Sequence, residues 1–238
     1  MPLLLLGFRD ELTSRPWQPP ARHWPGSALV GGRDEQAGGT WLAVHPGLPR
    51  VACILNARGQ QAPPDARISR GDLPLRAAAE GTEALRTLHD DHGTLARYDP
   101  FFLICADVIP ETQALMLSWD GQRSALEQLQ APGTHLITNA GHTYPPGSQD
   151  PDAKAEQFGP KFAAYRPDAG GLPGDDEAGR DPAVRGRAGG RGFRRLRGTR
   201  RERLGDAGVL RVLLSPGYGV PRSTAYQVVG SAGTGWKS

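Results

Sequence analysis

Gly31-Gly32-Arg33-Asp34-Glu35-Gln36-Ala37-Gly38-Gly39-Thr40-Trp41-Leu42-Ala43-Val44 is the stretch on which the reading of this chain turns. Glycine tolerates a positive φ and lets another group approach the backbone closely, so the two glycine pairs mark a tight turn. The apolar residues that follow read as a strand entering a core. A second Arg-Asp-Glu run, Arg9-Asp10-Glu11, comes directly after the apolar residues Leu3 to Leu6. A strand end followed by a charged turn therefore occurs twice.

Working outward, Thr40–Val44 and Arg50–Asn56 read as two strands joined by the turn His45-Pro46-Gly47-Leu48-Pro49. Leu73–Leu88 carries apolar residues at helical spacing and has Asp72 at its head, which predicts one amphipathic helix. Phe101–Val108, Ala114–Trp119 and Thr134–Asn139 are three further strands, and Ala153–Tyr165 is a second helix weakened by Gly159-Pro160. Ser14–Ser27 is a Pro-rich connection anchored by Trp17 and Trp24. Strands, helix, strands, helix in that order predict an α+β protein, with a largely antiparallel sheet covered by helices.

The charge divides the chain. Residues 1–179 hold 15 Lys+Arg against 22 Asp+Glu, whereas residues 180–238 hold 13 against 3. Residues 1–168 read as the folded domain, and 169–238 as a low-complexity Arg/Gly-rich tail. Ten arginines fall between Arg180 and Arg203, too polar a run to bury the apolar area that offsets ordering entropy. Val209–Leu214 is the only later stretch with strand character. Such a basic tail binds nucleic acid only non-specifically, through phosphate charge.

Cys53 and Cys105 each sit inside an apolar run, as small hydrophobes rather than as a disulfide framework or a metal knuckle. That usage fits a reducing, cytoplasmic setting. Pro2–Leu6 is too short for a signal h-region, and no stretch approaches the ~20 apolar residues of a membrane span. The histidines show no tight ligand spacing. His89-Asp90-Asp91-His92 reads as a solvated helix end, so no metal site is expected. No phosphate loop, dinucleotide fingerprint or nucleophile elbow is present, and nothing names a cofactor.

The two Arg-Asp-Glu runs and their surroundings resemble the Asn-Arg-Asp-Glu family, also called the transport-and-Golgi-organisation family. Leu6-Gly7-Phe8-Arg9-Asp10-Glu11 followed by Arg15-Pro16-Trp17 is similar to its N-terminal signature. Gly32-Arg33-Asp34 through Gly38-Gly39-Thr40-Trp41-Leu42 is similar to its Gly-Gly-Thr-Trp block. Asn56 ends a matching strand, and Gly133-Thr134-His135-Leu136 with Asn139-Ala140 resembles a further block. The likeness runs from about Leu3 to Arg166.

Two departures accompany it. Phe8 stands where the signature has Asn, and family members begin Met-Cys ahead of a strand that this chain, starting Met1-Pro2, does not show. The resemblance implies a four-layer αββα fold like that of N-terminal-nucleophile hydrolases, here incomplete and followed by the tail. In those enzymes an N-terminal Cys is the nucleophile.

Here it implies no catalytic residue in the chain as written, and handling of a small hydrophobic metabolite, haem or lipid-like. The binding residues it implies are Arg9, Asp10, Glu11, Arg15, Arg33, Asp34, Gly38, Gly39, Thr40, Trp41, Asn56 and Asn139. One alternative is a Cys-dependent amide hydrolase whose true start lies upstream. Another is a nucleic-acid binder acting through the tail. A shifted reading frame past about residue 170 is a further expectation, since the +1 frame of Leu204–Arg211 can encode a Gly-Thr-Arg strand like the family's.

Overall fold

The computed structural model describes residues 3–10, 14–107, 113–144, 153–164, 210–215 and 223–230. Its strands are β1 Leu3–Asp10, β2 Trp17–Ala21, β3 Val30–Asp34, β4 Leu42–His45, β5 Arg50–Asn56 and β6 Phe101–Asp107, followed by β7 Gln113–Trp119, β8 Ser124–Leu129, β9 Gly133–Thr138, β10 Gly141–Tyr144, β11 Leu210–Ser215 and β12 Ser223–Gly230. The helices are α1 Leu73–Glu80, α2 Thr82–Asp90, α3 His92–Leu95 and α4 Ala153–Ala164.

These strands form two sheets. One is a seven-stranded antiparallel meander in the order β2-β3-β4-β5-β6-β7-β8, and the other has five strands in the order β10-β9-β11-β1-β12. Strand alternation gives the large sheet two apolar faces. Ala52, Leu103, Cys105, Leu115 and Leu117 meet Leu73, Ala77, Ala78, Leu85 and Leu88 of α1 and α2. Val51, Cys53, Ile104 and Met116 point the other way, onto Leu3, Leu5 and Ile137 of the small sheet. Leu4 and Leu136 are buried on the far side of the small sheet, where α4 lies over β9 and β10. The layers run helix, sheet, sheet, helix, as the resemblance implies.

Differences from the sequence reading have local causes. The single helix expected over Leu73–Leu88 is two helices, because Gly81 takes φ 84° and ends α1 with its N–H on the Ala77 carbonyl. Asp72 heads α1 without a side-chain cap, and its carboxylate accepts from the Tyr98 hydroxyl at 3.3 Å. The Pro-rich stretch yields β2 at the sheet edge, where Pro19 and Pro20 need no ladder partner on the open side.

Within the expected tail, β11 is the strand offered by Val209–Leu214, and β12 is one that the sequence reading did not offer. β11 pairs parallel with both β1 and β9, and β12 pairs antiparallel with β1 from Leu3↔Gly230 to Asp10↔Ser223. A boundary at 168/169 would cut through one sheet, because β1 has its two partners beyond it. Leu210-Arg211-Val212-Leu213-Leu214 and Tyr226-Gln227-Val228-Val229 are the apolar runs that make this pairing available. The arginine-rich run 180–203 lies outside the described residues.

Candidate functional site

Asp34 closes β3 and organises the turn after it. Its Oδ1 accepts the backbone N–H groups of Gln36 and Ala37 at 2.9 and 3.0 Å. Its own N–H donates to the Gly39 carbonyl at 2.9 Å, and its carbonyl accepts Gly38 N–H at 2.7 Å. The remaining oxygen, Oδ2, takes Arg15 Nε at 2.6 Å. Burial pushes the Asp34 carboxyl up, but the Arg15 hydrogen bond, the two backbone donors and the guanidinium charge outweigh it and hold the group below the ordinary carboxylate value.

Glu35 turns away and accepts Gln18 Nε2 at 2.7 Å. Arg33 stands opposite Gln18 on β2, and its buried Nε has no hydrogen-bond partner among the described residues. Arg33 and Glu35 thus both neighbour Gln18 of β2, whereas Asp34 binds Arg15 and its own turn.

The glycine block is a packing device. A Cβ on Gly39 would lie 2.4 Å from the carbonyl carbon and oxygen of Gly71, and a Cβ on Gly32 would lie 2.5 Å from the Trp41 ring. Thr40 N–H donates to the Gly71 carbonyl at 2.8 Å, which locks the turn to the segment entering α1. Thr40 itself is buried and gives its hydroxyl to the Leu42 carbonyl at 2.8 Å. Trp41 lies on Gly32 and meets Trp17 edge-to-face, with ring centroids 5.9 Å apart.

Strand register brings the other sequence-selected residues to this same pole. Ile54 N–H donates to the Trp41 carbonyl, so the end of β5, Asn56, lies beside the start of β4. Asn139, just past β9, donates Nδ2–H to the Asn56 carbonyl at 2.8 Å and so joins the two sheets. β1, β11 and β9 run parallel with Gly7, Leu214 and Ile137 level, which places Arg9 at the height of Asn139, with Asp10 next. Arg9 and Asp10 pair in register with Thr224 and Ser223 of β12. Glu11 lies outside the described residues.

Neither cysteine is at this pole as a reactive group. Cys53 faces the inter-sheet core and Cys105 the helix layer, with its Sγ 3.4 Å from the Ala77 carbonyl. Burial raises both thiols, Cys105 to about 12. In the cluster His89 to His92, Asp91 caps α3 through Thr94 N–H at 2.9 Å and His89 bonds Ser124. No metal-holding group of His, Cys, Asp or Glu occurs among the described residues. No described helix is long and apolar enough to cross a membrane.

Sequence reasoning missed three grouped residues. His135, His142 and Glu127 form a continuous hydrogen-bonded chain. The signal for it was two histidines seven residues apart across a hairpin, a spacing that contiguous ligand motifs do not contain.

The layers and the convergence of motifs at one pole define a class, the α+β sandwiches with a four-layer αββα core. Residues 1–169 match the family described as Transport and Golgi organisation 2, and the chain belongs to it. No curated protein matches. Among solved structures, a Caenorhabditis elegans N-acylethanolamine-hydrolyzing acid amidase (NAAA) ortholog is similar at 13% identity, with 52% of each chain covered and a TM-score of 0.24. That score is too low to carry an argument about activity.

Proposed function

We propose that this chain binds a small hydrophobic metabolite, haem or lipid-like, without chemical turnover. The observation that carries the reading is the convergence of separate sequence blocks on one pole, with Asn139 of one sheet fastened to Asn56 of the other at 2.8 Å. Trp17, 37% exposed and seated edge-on against Trp41, offers an apolar surface on the edge strand β2 at the same end of the sheet. The end of β1, Arg9-Asp10, lies level with Asn139 in the strand register. The buried, high-pKa cysteines give the pole no thiolate to attack a substrate.

Intrinsic tryptophan fluorescence, titrated separately with hemin and with oleate, tests the proposal. Saturable quenching by one of them, weakened at least several-fold in Trp17→Ala and in Asn139→Ala, is the expected result. If neither probe gives saturable quenching, or if both variants bind as the parent does, the reading fails.

A further inference from the structure

The β9–β10 hairpin carries a side-chain network that the ligand reading leaves unused. His135 Nε2 lies 2.8 Å from the Gln130 carbonyl, and its Nδ1 lies 3.0 Å from His142 Nε2. His142 Nδ1 lies 2.6 Å from Glu127 Oε1. Exposure rises along the chain, from buried His135 through His142 with 13% of its side chain exposed to Glu127 with 47%. His135 shares the face of Ile137, His142 pairs with Ile137, and Glu127 shares the face of Leu129, so all three line the space between the sheets. β8 and β10 are edge strands of different sheets, and the network ties one to the other.

Donor counting fixes where the protons sit. A carbonyl only accepts, so His135 Nε2 carries hydrogen. The Nδ1 of a neutral His135 is then a lone pair, and His142 Nε2 must donate to it. The Glu127 carboxylate also only accepts, so His142 Nδ1 donates as well, unless Glu127 itself holds that proton and gives it to the ring. In both descriptions the network holds one proton more than two neutral imidazoles and a carboxylate.

We propose that this proton-loaded chain is a pH-gated clasp that sets the β9–β10 turn, and with it Asn139, against Asn56. Removing the extra proton leaves two acceptors facing each other somewhere along the network. Adding another puts an N–H on His135 Nδ1, facing the N–H of His142. The clasp is closed only between those two limits, and both belong to the network as a whole. Desolvation holds His135 below the ordinary histidine value, with the Gln130 carbonyl and Glu127 opposing it and His142 adding to it, so the acid limit lies low. The His142 hydrogen bond, against the cost of burial, likewise holds Glu127 below its ordinary value.

Among the described residues, the titratable groups facing the two rings are each other and Glu127. Lys161 is on α4, over the opposite side of β9, and Arg211 of β11 stands at the register of Thr134, one residue off the row of His135. Asn139 lies in the turn between Thr138 and Gly141, three positions before His142, so the hairpin that carries the ring also carries Asn139.

The test uses the full chain without ligand, which separates it from the binding reading. Nitrogen NMR of the imidazoles reads the protons, and exchange protection of the Asn139 side-chain amide and of Ala140 N–H reads the turn, both across pH. The expected result is His135 with hydrogen on Nε2 only, together with protection that passes through a plateau and falls on both sides. Glu127→Gln keeps an acceptor but removes the charge, so its alkaline limb moves to lower pH. His142→Gln keeps a donor and an acceptor without an ionising ring, so its alkaline limb disappears. Hydrogen on His135 Nδ1 across the plateau, or one shared pH profile in the parent and in whichever variants fold, overturns the clasp.

Discussion

Replacing Gly39 with alanine sets a methyl group 2.4 Å from the carbonyl carbon and oxygen of Gly71, where ordinary contact begins near 3.4 Å. The clash is with backbone on both sides, so no side-chain rotation relieves it. One segment must move by roughly 1 Å, which for overpacking costs about 1–3 kcal/mol. The same movement stretches the bond from Thr40 N–H to the Gly71 carbonyl, now 2.8 Å, a loss of about 1 kcal/mol. The smaller entropy of the unfolded alanine chain returns about 0.5–1 kcal/mol. The net is a destabilisation of about 1–3.5 kcal/mol, which for a chain of this size lowers Tm by roughly 2–14 °C.

Gly38 is the control. It has φ +76° with nothing within 4 Å of an added Cβ, so its constraint is backbone conformation alone. Asparagine tolerates that region, so Gly38→Asn recovers most of what Gly38→Ala loses, whereas Gly39→Asn recovers nothing. Thermal melts of the four variants decide the matter. If Gly39→Ala melts with the parent, or if asparagine rescues position 39 as it does 38, close approach to Gly71 is not what selects glycine there.

A chain ending at Asp168 loses β11 and β12 and leaves β1 with no neighbour, which uncovers Leu3, Leu4 and Leu5. At about 1.5–3 kcal/mol per leucine the loss rivals the stability of a whole domain, so the shortened chain is expected to lose cooperative melting; an unchanged Tm would contradict the pairing. Asp34 has a lowered folded pKa, so its stabilisation is complete above the unfolded value of 3.8 and is lost as pH falls through the folded value. Arg15→Gln should therefore flatten stability against pH in that acid range while leaving the slope above pH 5 alone, and equal acid slopes in urea melts would disprove it. With ten arginines between Arg180 and Arg203, the full chain should bind duplex DNA weakly, without sequence preference and with affinity falling by orders of magnitude from low to moderate salt. Binding that survives high salt would point instead to a shaped interface.

The sequence was most legible where a residue type has one physical use. The apolar runs of Arg50–Asn56 and Phe101–Asp107 and the glycine pairs around Arg33-Asp34-Glu35 announced strands and a tight turn, whereas the four layers came from the family resemblance. Tertiary partners were opaque. Gly39 is glycine because of Gly71, 32 residues away, and no local pattern carries that distance. β12 was missed because Ser223–Gly230 mixes polar and apolar residues as its place beside β1 allows, and β2 because its prolines look like a loop until the sheet edge is known. At the site, the pole was legible as a set of blocks. The split among Arg33, Asp34 and Glu35, and the burial of Thr40, depend on which face each residue takes, and that is set by pairing.

Among the described residues, β1 pairs only with β11 and β12. Synthesis at about 5–20 residues per second leaves Leu3 to Leu6 waiting on the order of 10–50 seconds before Leu210–Ser215 and Ser223–Gly230 leave the ribosome. Throughout that interval β1, with its aliphatic run Leu3–Leu6, lacks both of its partners and is a ready template for joining another chain. Such a topology makes the growing polypeptide a natural client for holding chaperones, and it makes ribosome stalling before Leu210 more damaging than stalling after Gly230.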